Sequence, residues 1–224
     1  MGVGDHHCHE GQNRICCVKT RDKHDWIIVQ EKVDGSCMSV ASLGGEAVAI
    51  GRAGYPAASS PFEQHQLFSS WVRENSARFL SVLGEGERIC GEWLAQAHGT
   101  RYQLPHEPFV AFDIFEAAGK KPGRRLTHAE FSGRVLQTFV VPRLIYSGPT
   151  SVAVEDVKPY LATSGHGAID RVEGAVWRVE RKCEVDFLAK WVRPDKVDGC
   201  YLPEVSGAPA VWNWRPGFIP EPTP

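Results

Sequence analysis

No surplus of positive charge marks this chain: 25 Lys and Arg stand against 27 Asp and Glu, for a formal net charge of −2. That balance excludes the strong basic field of a protein that coats nucleic acid indiscriminately, so contact with a polyanion has to be local. Two stretches qualify, the turn Lys120-Lys121-Pro122-Gly123-Arg124-Arg125 and the region from Arg171 to Lys196, although basic loops are more often plain solvated surface. An apolar run long enough to span a bilayer is missing, as is a signal peptide, which predicts a cytoplasmic protein with no membrane partner. A disulfide framework is missing too. The seven cysteines (Cys8, Cys16, Cys17, Cys37, Cys90, Cys183 and Cys200) are odd in number and irregularly spaced, as suits a reducing compartment. The amino-terminal cluster His6, His7, Cys8, His9, Cys16 and Cys17 lacks the Cys-x-x-Cys pairing of structural zinc sites and is read as part of a flexible leader, 1–24. No internal repeat and no linker interrupts 25–205, so one domain is expected there. In the tail, 206–224, Pro209, Pro216, Pro220, Pro222 and Pro224 argue for extended or disordered chain, with Trp212 and Trp214 as the side chains able to dock.

What is present is a series of short strands, each carrying one or two charges. Trp26-Ile27-Ile28-Val29-Gln30 is β-branched and aromatic, and Ser36 to Leu43 follows before the turn pair Gly44-Gly45 and a hairpin partner at Glu46 to Ile50. Lys32 therefore falls between two strands, at the mouth of a hairpin. Further strands are expected at Arg88–Leu94, Pro108–Phe115, Val172–Val179 and Asp186–Arg193. Ser60-Pro61-Phe62-Glu63 has the form of a capping box opening a helix that runs to Gly84. Thr127-His128-Ala129-Glu130 opens a second helix, through Phe139 to a stop at Pro142, and a shorter one is expected near Val154 to Leu161. Strands joined by tight turns and separated by such helices predict an α+β domain of mostly antiparallel sheets enclosing a nucleotide cleft.

The charges sit where an apolar strand has no ordinary use for them. Glu31-Lys32-Val33-Asp34-Gly35 places a lysine beside acids and a glycine, the setting of a nucleophilic amine once its surroundings favour the neutral form. Alone, Lys-x-Asp-Gly is most often a solvated turn with a surface lysine. Gly51-Arg52-Ala53-Gly54 puts an arginine at a glycine-flanked strand exit, and Gly91-Glu92-Trp93 embeds an acid that would be costly without a partner. Phe112 precedes Asp113 in a strand whose aromatics pack in a core or stack on a flat ring. Glu173-Gly174 heads an apolar run, and Lys190 lies inside an aromatic, aliphatic one, snorkelling to water or paired.

In their order and spacing these pieces resemble the covalent nucleotidyltransferase superfamily of ATP-dependent ligases and capping enzymes, most closely RNA ligases similar to the second ligase of phage T4, over about Trp26 to Arg193. Lys32-Val33-Asp34-Gly35 is similar to motif I, Arg52 to motif Ia, Gly91-Glu92-Trp93 to motif III, Phe112-Asp113-Ile114 to motif IIIa, Glu173-Gly174 to motif IV, and Lys190 to the first lysine of motif V. The resemblance implies an enzyme that uses ATP and Mg²⁺ or Mn²⁺ to join RNA ends bearing a 5′-phosphate and a 3′-hydroxyl. Lys32 would carry AMP as a phosphoramidate, pass it to the 5′-phosphate, and the 3′-hydroxyl would then close the phosphodiester. It further implies that Lys190 and Arg52 assist catalysis, that Glu173 is the metal-side carboxylate, and that Glu31, Asp34, Gly35, Arg52, Glu92, Phe112, Glu173 and Lys190 line the nucleotide site with Lys32. Glu92 would take the ribose and Phe112 the adenine face. A buried Glu92–Arg52 pair and a plain core Phe112 remain the alternatives from the residues themselves.

Two departures stand out. Where the phage-type motif V has a second lysine, this chain has Val192, with Arg193 next as a replacement only if the strand ends there, as Pro194 suggests. The stretch beyond Lys190 is short for an added oligonucleotide-binding or helical domain, so a monomeric catalytic domain alone is expected. A GTP-using capping-type guanylyltransferase and a non-catalytic module that binds nucleotides or nucleic-acid ends are the competing functions.

Overall fold

In the computed structural model of this protein, residues 8–119 and 123–217 are described. In chain order they form α1 (Glu10–Cys17), β1 (Asp25–Lys32), β2 (Ser36–Leu43), β3 (Glu46–Gly51), α2 (Glu63–Glu74), α3 (Ser76–Val82), β4 (Arg88–Trp93) and β5 (Phe109–Phe115). There follow α4 (His128–Val135), β6 (Leu144–Gly148), α5 (Val154–Val157), β7 (Gly174–Arg181), β8 (Glu184–Val192) and α6 (Pro203–Ser206). The expected α+β class holds: two four-stranded antiparallel sheets, ordered β6-β1-β7-β8 and β3-β2-β4-β5, are flanked by helices. None of the described helices is long and apolar enough to cross a membrane.

The chain divides into two compact units. Unit one comprises Met1–Asp34, Ala97–His106 and Pro142–Pro224, and unit two Gly35–Gln96 and Glu107–Val141. In unit one, Ile27 pairs with Val179 and Val29 with Trp177, and residues directly opposite in an antiparallel ladder face the same way. Together with Ala175 and, on β8, Phe187, Ala189 and Trp191, they make an apolar face on which Cys16 of α1 and Val157 of α5 pack. Burial pushes the Cys16 thiol up to about 12, so it behaves as a small hydrophobe. By alternation Ile28, Gln30 and Lys32 point to the opposite face.

Unit two is built round an aromatic cluster. Trp93 and Phe109 lie on one face of the β2–β5 sheet and meet Phe68 and Trp71 of α2, with Phe79 of α3 against Phe109. Trp93 is fully buried, and truncating it to Ala would cost about 3–5 kcal/mol in lost burial and cavity. Gly91 is small because a Cβ there would stand 2.4 Å from the Phe109 ring.

Several expectations need correction. Lys32 is not at the mouth of a hairpin: β1 pairs with β6 and β7, β2 with β3 and β4, so the two strands flanking it belong to different sheets. The Ser60 capping box does not form, since Ser60 Oγ accepts from Phe62 N–H at 3.3 Å and bonds His65 Nδ1 at 2.8 Å, and the helix starts at Glu63. That helix breaks in two at Asn75, whose side-chain amide donates to the Trp71 carbonyl at 2.8 Å and competes with the backbone ladder. The Thr127–Glu130 capping box does form, but α4 stops at Val135, short of Phe139. The Val154–Leu161 helix is a single turn followed by a 3-10 stretch, Lys158–Ala162, whose Pro159 has no N–H to give. In the leader, His9 caps α1 by accepting from Gln12 N–H, while His6 and His7 lie outside the described residues. In the described part of the tail, Val211 accepts from Ala97 N–H at 2.9 Å and Asn213 Oδ1 from Tyr102 N–H at 2.8 Å, while 218–224 lie outside the described residues.

Candidate active site

Unit one gathers three of the chemistry-bearing motifs at one end of its sheet. Lys32 closes β1 opposite Gly174, the first residue of β7, which in turn lies opposite Val192 on β8. A Cβ on Gly174 would come within 1.9 Å of the Trp191 carbonyl oxygen, so only glycine lets the β7 and β8 backbones meet here. That close approach brings Glu173, the residue before it, to the end of β1. Its Oε2 is 2.6 Å from Lys32 Nζ, with the Glu173 side chain 5% exposed and that of Lys32 21%.

Asp34 is fixed by three contacts. Its N–H donates to the Tyr102 hydroxyl at 2.9 Å, its Oδ2 accepts from Gly99 N–H at 2.8 Å, and its Oδ1 is 2.9 Å from the ammonium of Lys196. Lys196 also lies 2.7 Å from Glu173 Oε1, so Glu173 is shared between two ammonium groups. No motif marked Lys196; the signal was its place at the end of the basic stretch from Arg171, just past a Pro-Asp turn. The candidate replacement at 193 is engaged elsewhere, because β8 ends at Val192 and the Arg193 guanidinium pairs with Asp195 at 3.0 Å.

Lys190 lies opposite Val176, which lies opposite Gln30, so it is on the same face of the sheet as Lys32 and two residues along; its side chain is exposed on the edge strand. Glu31 points the other way. Its buried carboxylate accepts from Ser164 Oγ at 2.6 Å and Gly165 N–H at 2.8 Å and pairs with Arg143 at 3.1 Å.

Unit two carries the remaining candidates. Glu92 lies opposite Cys37 and Val110, and its Oε1 accepts from Gly35 N–H at 3.0 Å, which supplies the partner an acid in this strand requires. A Cβ on Gly35 would stand 2.4 Å from the Trp93 carbonyl oxygen, so this glycine too is a close-approach position. Phe112 is the extra residue at a bulge between Cys90 and Gly91 of the facing strand, half-buried, and register puts it with Asp113 on the face of Glu92. Arg52 is exposed in the turn after β3. Burial first, then the charges of Glu92 and Cys90, push the Cys37 thiol up to about 12, with Arg52 opposing and Asp113 adding to the rise. The described part of the basic loop is committed to ion pairs, Arg124 with Glu116 and Glu130 and Arg125 with Asp113, while 120–122 lie outside the described residues.

Among the described residues no group of three or more His, Cys, Asp or Glu is spaced to hold a metal ion by itself. Glu173 beside Lys32, and Asp34 joined to it through Lys196, are oxygen donors of the kind that suits Mg²⁺ or Mn²⁺ completed by water and phosphate oxygens rather than an all-protein cage.

Comparison with known proteins bears on this arrangement. Residues 25–192 match the family described as RNA ligase. A Naegleria gruberi RNA ligase point mutant solved with ATP and Mn superposes with a TM-score of 0.57 at 18% identity, over 76% of this chain and 50% of that one. Another point mutant of the same enzyme, without ligand, gives 0.54 at 17% identity over 83% and 53%. An archaeal ATP-dependent RNA ligase aligns at 0.46 and 23% identity over 75% and 42%. This chain thus spans about half the length of the solved enzymes it resembles. No curated protein sequence matches.

Proposed function

The chain belongs to the RNA ligase family, and from that premise we propose that it is an ATP-dependent RNA ligase of the type of the second phage T4 enzyme, with Lys32 as the adenylated residue. The observation that carries the reading is Lys32 Nζ held 2.6 Å from Glu173, a carboxylate that also pairs with the ammonium of Lys196, which in turn pairs with Asp34. That contact fixes the amine at the end of β1. Lys32 then attacks the α-phosphorus of ATP; the bond to the bridging oxygen breaks, pyrophosphate departs, and AMP remains on Nζ as a phosphoramidate. A 5′-phosphate of RNA displaces Lys32 and takes the AMP, and a 3′-hydroxyl then attacks that activated end and expels AMP.

Charge builds on phosphate oxygens in every step, so fixed cations count for more than a general acid. Lys190, exposed on the face of Lys32, is the candidate for the α-phosphate, and Arg52 for the incoming phosphate end. On unit two, Glu92 suits the ribose hydroxyls and half-buried Phe112 the flat face of the base. A divalent ion on Glu173 would neutralise phosphate charge, and Glu173 and Asp34 are the residues that would hold it.

Incubation with ATP labelled at the α-phosphate and Mg²⁺ should leave label on the denatured protein, and Lys32→Ala should remove it. Label that survives in that variant rejects Lys32, and a wild-type protein that labels with GTP but not ATP rejects the ligase reading. Sealing of a nicked or single-stranded RNA carrying 5′-phosphate and 3′-hydroxyl ends completes the test.

A further inference from the structure

Strand pairing fixes the chain up to Lys32, the last residue of β1, and no further. Val33 and Asp34, which follow, are buried and lie outside any strand, and a buried N–H that leaves a ladder needs another acceptor. The Tyr102 hydroxyl is that acceptor for Asp34 N–H, at 2.9 Å, and Gly99 N–H, three residues earlier, holds Asp34 Oδ2 at 2.8 Å. The backbone and the side chain of Asp34 are thus gripped from one stretch of chain. We propose that Tyr102 and Asn213 are positioning residues of the nucleotidyl-transfer site, a relay in which Asn213 sets Tyr102 and Tyr102 sets the backbone that carries Lys32. The proposal rests on the ligase reading above.

Residues 97–106 form no helix or strand, so their shape comes from what they touch. The loop ahead of β7 supplies one set of contacts: Gln103 N–H donates to the Gly167 carbonyl at 2.8 Å, Ile169 N–H to the Arg101 carbonyl at 2.9 Å, and Arg101 pairs with Asp170 at 2.8 Å. The tail supplies the other. Tyr201 N–H donates to the His98 carbonyl at 2.8 Å, Ala97 N–H to the Val211 carbonyl at 2.9 Å, and Tyr102 N–H to Asn213 Oδ1 at 2.8 Å. This last bond ties down the very residue whose hydroxyl reaches Asp34. Tyr102 is 5% exposed and Asn213 7%, so water does not replace either oxygen once it is removed.

Packing alone asks for neither oxygen, since phenylalanine fills the place of a tyrosine ring and leucine comes close to the volume of asparagine. What the two oxygens add is direction. In-line attack needs the Lys32 amine about 3–3.5 Å from the α-phosphorus, and a misplacement of about 1 Å costs up to about 100-fold in rate. Asp34 is two residues from Lys32, and releasing its N–H frees the backbone that aims the amine. Tyr102 and Asn213 are not among the residues assigned to the nucleotide, so their loss falls on the rate of attack and not on KM.

The test measures the maximal rate of protein labelling by α-labelled ATP, and KM for ATP, in wild type, Tyr102→Phe, Asn213→Leu, Asn213→Asp and the Tyr102→Phe/Asn213→Leu double variant, each well below its own melting temperature. Tyr102→Phe and Asn213→Leu should each lose about tenfold or more in rate with KM little changed. Asn213→Asp, which keeps an acceptor for Tyr102 N–H, should recover most of that rate. The double variant should be no slower than the slower single one, because both substitutions break one relay, whereas independent structural damage multiplies. A wild-type rate in Tyr102→Phe, a loss confined to KM, an Asn213→Asp as slow as Asn213→Leu, or multiplied losses in the double variant overturns the relay. Should Asn213→Leu fail to fold, Tyr102→Phe and Asn213→Asp decide: a slow first with normal KM and a fast second support the relay, and any other pair refutes it. Absence of label on the wild-type protein overturns the ligase reading beneath it, which sets that outcome apart from the others.

Discussion

Replacing Glu173 by Gln keeps the shape of the side chain and removes the charge that two lysines share. Lys196 is 3% exposed and loses one of its two close counter-ions, Glu173 at 2.7 Å, keeping Asp34 at 2.9 Å. Breaking a buried pair costs about 3–5 kcal/mol when the survivor has no other partner, so the retained Asp34 puts this loss at the low end, about 3 kcal/mol. The Lys32 pair, with one side chain 21% exposed, is screened by solvent and adds about 1 kcal/mol at most. For a chain of 224 residues, a total of about 3–4 kcal/mol corresponds to a melting temperature lower by roughly 6–16 °C. A double-mutant cycle isolates the smaller contribution. Melts of Glu173→Gln, Lys32→Met and the double variant should give a Lys32–Glu173 coupling of about 1 kcal/mol, with most of the Glu173→Gln loss persisting when Lys32 is already gone. If Glu173→Gln melts within a degree or two of wild type, Glu173 does not hold this cluster together, and the electrostatic account of the site fails.

Two further measurements probe each unit away from the site. In unit one, His166 is 2% exposed, with its Nδ1 2.9 Å from His106 Nε2. Burial above all, then the charges of His106 and Arg143, pull it down to about 4 from 6.5. The unfolded chain therefore binds this proton at a higher pH than the folded one; the stability is fully present above about pH 6.5 and falls by up to about 3 kcal/mol as pH drops through 4. Denaturant melts of wild type and His166→Gln between those limits should show the variant losing correspondingly less, and parallel curves would refute the assignment. In unit two, Thr127 and Glu130 cap α4 reciprocally, Thr127 N–H donating to Glu130 Oε2 at 2.8 Å. Thr127→Ala should cost about 1 kcal/mol and roughly 2–4 °C in a thermal melt, and an unchanged melt would mean the cap contributes nothing.

Much of the fold was legible because its signals are local. The run of apolar residues in β2 begins at Ser36 and ends at Leu43 as its composition and the Gly44-Gly45 turn required, and the Thr127 capping box formed as spaced. The Ser60 box had an equally good pattern and did not form, since Ser60 found a closer partner in His65. Strand β6 escaped notice because Leu144–Gly148 is a short edge segment with little of its side-chain surface buried, so alternation left no clear trace. Helix α1 was hidden by a polar composition that only the packing of Cys16 against β1 and β7 turns into structure.

Residue order alone placed Lys32, Arg52, Glu92, Phe112, Glu173 and Lys190 in a series that resembles the motifs of a ligase family, because those motifs lie within runs of a few residues and the chain cannot alter such spacing. It also established that any RNA contact is local, since net charge is additive and needs no geometry. Tertiary structure alone decided which charges meet. Glu173 reaches Lys32 across 141 positions, through strand register and the bare Cα of Gly174. Lys196 enters the site because a turn after β8 folds it back onto Asp34 and Glu173. A buried ammonium chooses its partners by distance in space, and pairing between strands distant in sequence is what sets that distance.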